Sequence, residues 1–325
     1  MPQLQMGVRR RLGRGVPAAL AGAILGRVRH AHIILNPAAG RGAARRAKDP
    51  VARAFRDQGW VVDMIETQAP GDGAGLARAA AAAGATHVIA VGGDGIVHEV
   101  ANGLIAARSD AALGVVPLGS GNDFAKLVGT YRHGVARAVA RLVTGRVQRF
   151  DAGRVDGGEY FVNTMGFGFG PAVVERRNAS SHLKGFLSYL VPIFQTFARF
   201  APPRFEIQAA EFRETGYVML VEVCNGTTAG GSYRFAPDAN AADGRLDVCV
   251  VRRVSLPGFL WLLPRVMRGT HGGSRRAALF QTREVTVRSF DAPLLMHLDG
   301  ELRGSDARAC TVRIVKSCLN VLVAA

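Results

Sequence analysis

The chain has 325 residues, of which 48% are hydrophobic, and its formal net charge at pH 7 is +16. The apolar content excludes a disordered chain, and the length leaves room for two domains. The positive charge indicates an anionic partner: nucleic acid, anionic lipid headgroups or a phosphorylated substrate. We find no apolar run that could span a membrane, and the four cysteines lack the C-x-x-C spacing of a zinc site, which together favour the cytoplasm.

Residues 1–30 form a basic, alanine-rich start, and no acidic residue occurs before Asp49. We interpret this segment as a positively charged extension outside the folded domains. A surface helix that binds anionic lipid is an alternative. An export signal is disfavoured, because the short apolar run at residues 16–25 has no clear cleavage site.

Between residues 31 and 150, strand-like and helix-like segments alternate. The strand-like segments are HIILNP, VVDMIET, THVIAVGG and ALGVVPLG, and the helix-like ones between and after them include AARRAKDPVARAFRDQGW, GAGLARAAAAAG and IVHEVANGLIAAR. This alternation predicts an α/β domain in which helices cover both faces of a parallel sheet.

From residue 151 to residue 325, strand-like runs separated by turns dominate, among them GYVMLVEVCNG, GRLDVCVVRRV and CTVRIVKSCLNVLVA. They predict an antiparallel β-sandwich as the second domain. Two helical segments, at residues 183–200 and 256–267, interrupt the strands.

Three glycine-rich turns, NPAAGRG, GGDG and PLGSGND, each follow a predicted strand and lead into a helix. Ligands bind at the carboxyl ends of parallel strands, and backbone N–H groups at helix starts attract phosphate. Tight turning alone would explain the glycines, but it leaves Asp94 and Asp123 unexplained. Carboxylates beside a phosphate site need a cation between them, so the pair indicates a Mg²⁺-nucleotide. Neither the P-loop nor the dinucleotide fingerprint is present.

In order and spacing, NPAAG, GGDGIVHEVANGL and PLGSGNDFA resemble the diacylglycerol kinase catalytic-domain family, bacterial lipid kinases related to sphingosine and ceramide kinases. The resemblance continues through FAPDANAADGRLDV and HLDGE to the C-terminus. It implies a nucleotide domain similar to those of NAD kinase and phosphofructokinase, a β-sandwich domain, and ATP in the cleft between them. It also implies that the last strand, at residues 321–325, can return to the first domain.

The same resemblance implies which residues contact ATP. These are Asn36, Pro37, Gly40, Thr67, Gly92, Gly93, Asp94, Gly95, Ile96, His98, Gly119, Ser120, Asn122 and Asp123. A helix N-cap is the alternative role for Thr67. Ile96 departs from the family's usual GGDGT, so a hydroxyl that could bind phosphate is missing there.

The HLDGE motif contains the residues that we predict to be catalytic. Phosphoryl transfer needs positioning and a base near the acceptor hydroxyl. The family places that base in this motif, so the resemblance implies Asp299 or Glu301, with Asp94 as a third candidate. A plain D-G hairpin turn is the structural alternative. We expect Asp299→Asn and Glu301→Gln each to lose most activity while folding normally.

Two further features leave alternatives open. ANAADGRLD is similar to a structural Mg²⁺ site of bacterial members, which implies Asp243 with the carbonyls of Asn240 and Arg245 as ligands; a plain turn is the alternative. The apolar segment at residues 183–200, like Phe167 and Phe169, either lines a lipid groove or belongs to the core.

These observations predict an ATP- and Mg²⁺-dependent kinase of diacylglycerol or a similar neutral lipid, attached peripherally to the inner face of an anionic membrane. A sphingoid base or ceramide kinase is the first alternative, and an NAD kinase-like enzyme is the second. A non-enzymatic nucleotide- or nucleic-acid-binding protein is the third, and because no recognised nucleic-acid motif occurs we expect no nucleic-acid partner. Whether the chain forms a homodimer stays open.

Overall fold

The computed structural model describes residues 29–131, 134–179, 187–304 and 306–325. Nearly all of the basic start lies outside these residues, so its interpretation stays a prediction. The first half alternates as predicted: β1 (His30–Leu35), α1 (Ala39–Arg46), α2 (Lys48–Asp57), β2 (Val61–Glu66), α3 (Asp72–Ala82), β3 (His87–Gly92), α4 (Asp94–Ala106), β4 (Ala112–Pro117), α5 (Asp123–Leu127) and α6 (Gly134–Thr144).

Four of these strands form a parallel sheet in the order β2-β1-β3-β4. Side chains of β3 alternate between its two faces, as in any strand. Val88 and Ala90 pack in a core with α3 and α4, whereas Ile89 and Val91 pack in a core with α2 and α6. Both faces are therefore buried, which explains the continuous apolar sequence of this strand. The predicted parallel sheet with helices on both faces is confirmed.

The second half consists mainly of antiparallel strands that enclose a separate apolar core. Its elements are β5 (Arg146–Val155), β6 (Tyr160–Phe161), β7 (Thr164–Gly168), α7 (Phe169–Ala179), α8 (Leu187–Phe197), β8 (Arg204–Ala209), β9 (Arg213–Cys224), β10 (Leu246–Arg252), α9 (Leu256–Arg268), β11 (Ala277–Thr282), β12 (Glu284–Ser289), β13 (Met296–Leu298), β14 (Glu301–Arg303) and β15 (Ala309–Val323). The predicted β-sandwich is confirmed.

Two long strands connect the halves. β15 pairs antiparallel with β12 and β5, and its end at Asn320 and Val321 pairs parallel with β4 of the first half. The predicted division between residues 150 and 151 falls inside β5, which continues from one half into the other. Among the described residues, no helix combines the length and the apolar character needed to cross a membrane.

Candidate active site

The three glycine-rich turns meet at the carboxyl ends of β1, β3 and β4. A Cβ on Gly119 would lie 2.3 Å from the Cα of Gly93, and a Cβ on Gly40 would lie 2.3 Å from the carbonyl oxygen of Leu118. Gly40 also has a φ of 59°, which other residues rarely adopt. Glycine is therefore required at these positions, because the backbones of the turns touch.

Two asparagines of the turns use their side chains to hold the turns in shape. Asn36 Oδ1 accepts the N–H of Ala38 at 3.0 Å. Asn122 accepts the N–H of Gly119 at 2.9 Å and donates to the Gly119 carbonyl at 2.6 Å. These local bonds occupy the amide oxygen of Asn36 and both polar atoms of the Asn122 amide. Backbone N–H groups of the turns can bind phosphate, and so can the side chains of Arg41 and Ser120, which line the adjoining cavity.

The predicted residue after β2, Thr67, is buried, and its N–H donates to the Leu35 carbonyl at 2.9 Å. Helix α3 begins five residues later, and its N-cap is Gly71. The N-cap alternative for Thr67 is therefore wrong, whereas its predicted nucleotide contact stays a prediction.

A cavity of about 440 Å³ lies between the two halves of the molecule. Its polar end is lined by the turns and by the HLDGE loop, including Asp94, Ser120, Asp123, Asp299 and Glu301. Its other end is apolar, with a lining that includes Phe169, Val173, Ile193, Leu220, Phe259, Leu262 and Val266. One continuous cavity thus joins the phosphate-binding turns to an apolar compartment.

Asp94 and Asp123 face the same small space. Carboxylate oxygens of the two residues lie 2.9 and 3.3 Å from the position of a Cβ built on Gly121. Burial, together with the charge of Asp123, raises the pKa of Asp94 to about 7. Asp123 accepts bonds from Lys126 Nζ and from the Gly231 N–H, each at 2.8 Å. Two hard oxygen ligands around unfilled space fit the preference of Mg²⁺.

Asp299 is buried at a φ of 50°, and both of its carboxylate oxygens are occupied. Oδ1 accepts the N–H groups of Asn163 and Thr164 at 2.8 and 3.1 Å. Oδ2 accepts the N–H of Val162 at 3.0 Å and contacts His98 Nδ1 at 2.8 Å. These bonds argue against the expectation that an Asp299→Asn variant folds normally, because this carboxylate attaches the loop to three consecutive backbone amides.

His98 is buried between two carboxylates. Its Nδ1 contacts Asp299, and its Nε2 lies 2.9 Å from Glu159 Oε1, which Arg303 also binds at 2.6 Å. Burial by itself lowers the pKa of His98, but the hydrogen bonds that Asp299 and Glu159 accept from it outweigh burial and raise the pKa to about 9. Both ring nitrogens of His98 are used inside the protein, so its predicted ATP contact, which stays a prediction, is left to its backbone. The Ile96 side chain likewise lies in the apolar core, so only its backbone can reach a nucleotide.

Glu301 has the opposite environment to Asp299. Its side chain is exposed, and it lines the cavity. Its Oε1 lies 2.7 Å from the position of a Cβ on Gly95, so Glu301 stands over the first turn of α4. The missing side chain at Gly95 leaves room for this carboxylate beside the phosphate turns.

The apolar residues that had two interpretations occupy different places in the structure. Phe169 of α7 and Ile193 of α8 line the cavity. Phe167 is fully buried in the β-sandwich core. Three further polar residues of this region were not predicted from the sequence: Glu159, Glu222 and His297. The signal for Glu222 was available, because a single glutamate interrupts the apolar strand GYVMLVEVCNG.

Two regions outside the cavity hold potential metal ligands. In the predicted second Mg²⁺ site, Asp243 Oδ1 accepts the Arg245 N–H at 2.9 Å, and Asn240 Oδ1 accepts the N–H of Ala242 at 3.1 Å. These are bonds of a tight turn, and the ion itself stays a prediction. Ligand atoms of three further residues lie within 4.8 Å of one another on β1 and β2, away from the turns: His30, His32 and Asp63.

Comparison with known proteins agrees with this fold. Residues 30–155 match the model of the diacylglycerol kinase catalytic domain, and residues 163–323 match the YegS C-terminal NAD kinase beta sandwich-like domain. The chain therefore belongs to the diacylglycerol kinase catalytic-domain family of lipid kinases, as the motifs predicted.

Particular relatives support this assignment. The chain is 30% identical over 281 residues to the diacylglycerol kinase of Bacillus subtilis, covering 85% of this chain and 91% of that protein. It is 36% identical over 200 residues to a Pseudomonas putida protein named "Probable lipid kinase YegS-like", covering 61% and 66% respectively. A crystal structure from Bacillus anthracis has the same fold with a TM-score of 0.73 at 20% identity, covering 91% of this chain and 96% of that one.

Proposed function

We propose that this lipid kinase transfers the γ-phosphate of ATP to a hydroxyl of diacylglycerol or a similar neutral lipid, with Mg²⁺ as the cofactor. The observation that supports this most directly is the continuous cavity. Glycine-rich turns and carboxylates form one end and apolar side chains form the other, so a phosphate donor and an aliphatic acceptor can meet inside it.

At the polar end, Asp94 and Asp123 would hold Mg²⁺, which when bound neutralises the charge of the nucleotide phosphates. Backbone N–H groups of the three turns bind the phosphate oxygens. Gly93 and Gly119 keep the turns in contact, which fixes the direction of these N–H groups. The chain thus positions the donor mainly with backbone groups.

We propose Glu301 as the base and Asp299 as a positioning residue. The Glu301 carboxylate is exposed to the cavity, so it can take the proton of the acceptor hydroxyl while that oxygen attacks the γ-phosphorus. The bond to the β-phosphate oxygen breaks, and ADP leaves. Asp299 has four hydrogen bonds already, and these hold the loop that carries Glu301.

At the apolar end, α9 separates the cavity from solvent. One face of this helix lines the cavity through Phe259, Leu262 and Val266. The other face exposes Leu260 and Trp261, at 50% and 38% of their surfaces, together with the basic residues of its last turn. Exposed apolar residues beside arginines are typical of a surface that binds anionic lipid. We therefore propose that α9 docks on the membrane that supplies the acceptor.

Vesicle sedimentation tests this docking surface. We expect binding to vesicles that contain anionic lipid, and weaker binding as salt rises. A Leu260→Ser/Trp261→Ser variant should bind roughly tenfold more weakly or worse, since burying such side chains contributes about 1.5–3 kcal/mol each. The matched control is Val61→Ser/Ile65→Ser on β2, which removes two similarly exposed apolar residues. Equal loss in both variants would contradict the assignment to α9.

A kinase assay tests the proposed function. The protein is incubated with labelled ATP, Mg²⁺ and mixed micelles of diacylglycerol, monoacylglycerol, phosphatidylglycerol, ceramide or sphingosine. We expect label in a glycerol-based lipid and none without Mg²⁺. Label in ceramide or sphingosine instead would support the sphingoid alternative. No labelled lipid, together with phosphorylation of NAD or tight duplex binding, would overturn the proposal.

A further inference from the structure

Three adjacent strands place Glu222 and His297 on either side of a glycine. His297 of β13 is paired with Gly166 of β7, and Gly166 is paired with Glu222 of β9. A Cβ on Gly166 would lie 2.3 Å from Glu222 Oε2 and 2.7 Å from His297 Nε2. The two side chains therefore meet above Gly166 only because this position has no side chain. Gly170, at the start of α7, also borders the pair. A Cβ on Gly170 would lie 3.4 Å from His297 Nε2 and 3.5 Å from Glu222 Oε2.

The pair is buried but incompletely bonded. The exposed fraction is 1% for Glu222 and 5% for His297. His297 Nε2 lies 3.3 Å from Glu222 Oε1. This contact is an ion pair of poor hydrogen-bond geometry, and among the described residues neither this Oε1 nor His297 Nδ1 has a well-formed hydrogen bond. A buried carboxylate with an incomplete set of hydrogen bonds is costly, and such a group calls for a functional or structural explanation.

The pair lies between the two ends of the cavity. His297 precedes Asp299 by two residues, towards the phosphate turns. Glu222 follows Leu220 by two residues on β9, and Leu220 belongs to the apolar end. All four residues line the cavity. The pair thus occupies the level at which the head of a lipid acceptor would pass from apolar to polar surroundings.

We propose that the Glu222–His297 pair binds a second hydroxyl of the acceptor lipid, next to the hydroxyl that is phosphorylated. This inference rests on the proposed function and narrows it. Neutral lipids with two neighbouring hydroxyls then fit better than diacylglycerol, whose second position is an ester without a donor.

A hydroxyl fits this site better than an ammonium group. Burial lowers the pKa of His297, but the neighbouring Glu222 carboxylate raises it above its ordinary value. Arg177 also lines the cavity, and its charge acts on His297 in the opposite direction, so an ammonium would meet a positive charge that is already present. A hydroxyl adds none, and it can donate to the Glu222 carboxylate, whose Oε2 lies beside the space left by Gly166 and Gly170.

The test uses two acceptors that differ in one donor: a glycerol monoalkyl ether, and the same molecule with a methyl group on its second hydroxyl. We expect kcat/KM of the wild-type protein to be roughly 10- to 100-fold higher for the free hydroxyl, because the methyl ether leaves the carboxylate unbonded. Equal values for the two acceptors would overturn the inference. No phosphorylation of any lipid would instead overturn the proposed function.

Variants then assign the preference to the pair. Glu222→Met/His297→Phe replaces both groups by apolar ones, a change that buried ion pairs often tolerate. For this variant, we expect the ratio of kcat/KM between the free hydroxyl and the methyl ether to fall towards one. The control is Glu214→Met, which removes a carboxylate of the same strand that is bound to Arg252 outside the cavity. If the ratio of kcat/KM for the two acceptors stays at the wild-type value in the double variant, the role of the pair is contradicted. If the variant fails to fold, the comparison of the two acceptors with the wild-type protein still tests the inference.

Discussion

Glu301→Gln should lower kcat by roughly 10²–10⁴-fold, the usual contribution of a general base. Glutamine keeps the shape of the side chain but cannot take the proton of the acceptor hydroxyl. Because Glu301 is exposed, the free energy of unfolding should change by no more than about 0.5 kcal/mol. The measurements are steady-state kcat at saturating ATP and lipid, and urea denaturation of the same preparation.

A remote glutamate provides the control for this variant. Glu211 is exposed in the turn between β8 and β9, so Glu211→Gln makes the same chemical change away from the cavity and should retain wild-type kcat. A kcat of Glu301→Gln within about threefold of wild type would show that the proton goes elsewhere. Asp94, whose pKa is raised to about 7 by burial and by Asp123, would then be the next candidate.

Local sequence was enough to predict the phosphate-binding edge. Each turn combines glycines with the end of an apolar strand, and the carboxyl ends of parallel strands must share one edge of the sheet. The contact between Gly93 and Gly119 follows from that geometry, although the residues are far apart in the chain. The alternation of strands and helices likewise predicted the fold class.

The roles of individual polar side chains could not be predicted in this way. His98 follows the GGDG turn closely, which implied a phosphate contact, but its partners Glu159 and Asp299 come from distant strands. Asp299 and Glu301 are only two residues apart, yet one is buried and the other is exposed. Similarly, Glu222 and His297 meet only because two strands flank β7. Such roles depend on strand order, which local patterns do not specify.

The network around His98 makes stability depend on pH in a definite direction. The pKa of His98 is raised to about 9. Its contribution to the free energy of unfolding is therefore complete below its ordinary pKa and is lost as pH rises through 9. The pKa of Glu159 is lowered to about 2 by its bonds with His98 and Arg303. Its contribution is complete above its ordinary pKa and is lost as pH falls through 2. The network is therefore most stabilising between weakly acidic and neutral pH.

Asp299→Asn should lower the free energy of unfolding by about 3–5 kcal/mol, the usual effect of removing one partner of a buried ion pair. The single carbonyl oxygen of asparagine cannot accept from all three backbone N–H groups. Its NH₂ group faces the remaining N–H groups and cannot accept from them. Protonated His98 loses its buried counterion, so its pKa should fall below the wild-type value. Stability of the variant should consequently decrease less between pH 7 and pH 9 than that of the wild type.

Urea denaturation across this pH range and NMR titration of His98 measure both effects. Asp110→Asn is the matched control, because the Asp110 side chain is 91% exposed and its pair with Arg149 lies at the surface, where such pairs contribute about 1 kcal/mol or less. Loss of kcat without loss of stability would make Asp299 the base, since its four bonds would then be dispensable for folding. Loss of stability with an unchanged pKa of His98 would show that the backbone amides depend on Asp299 but that His98 does not. Lower stability together with a lower pKa identifies Asp299 as the residue that fixes the loop carrying Glu301.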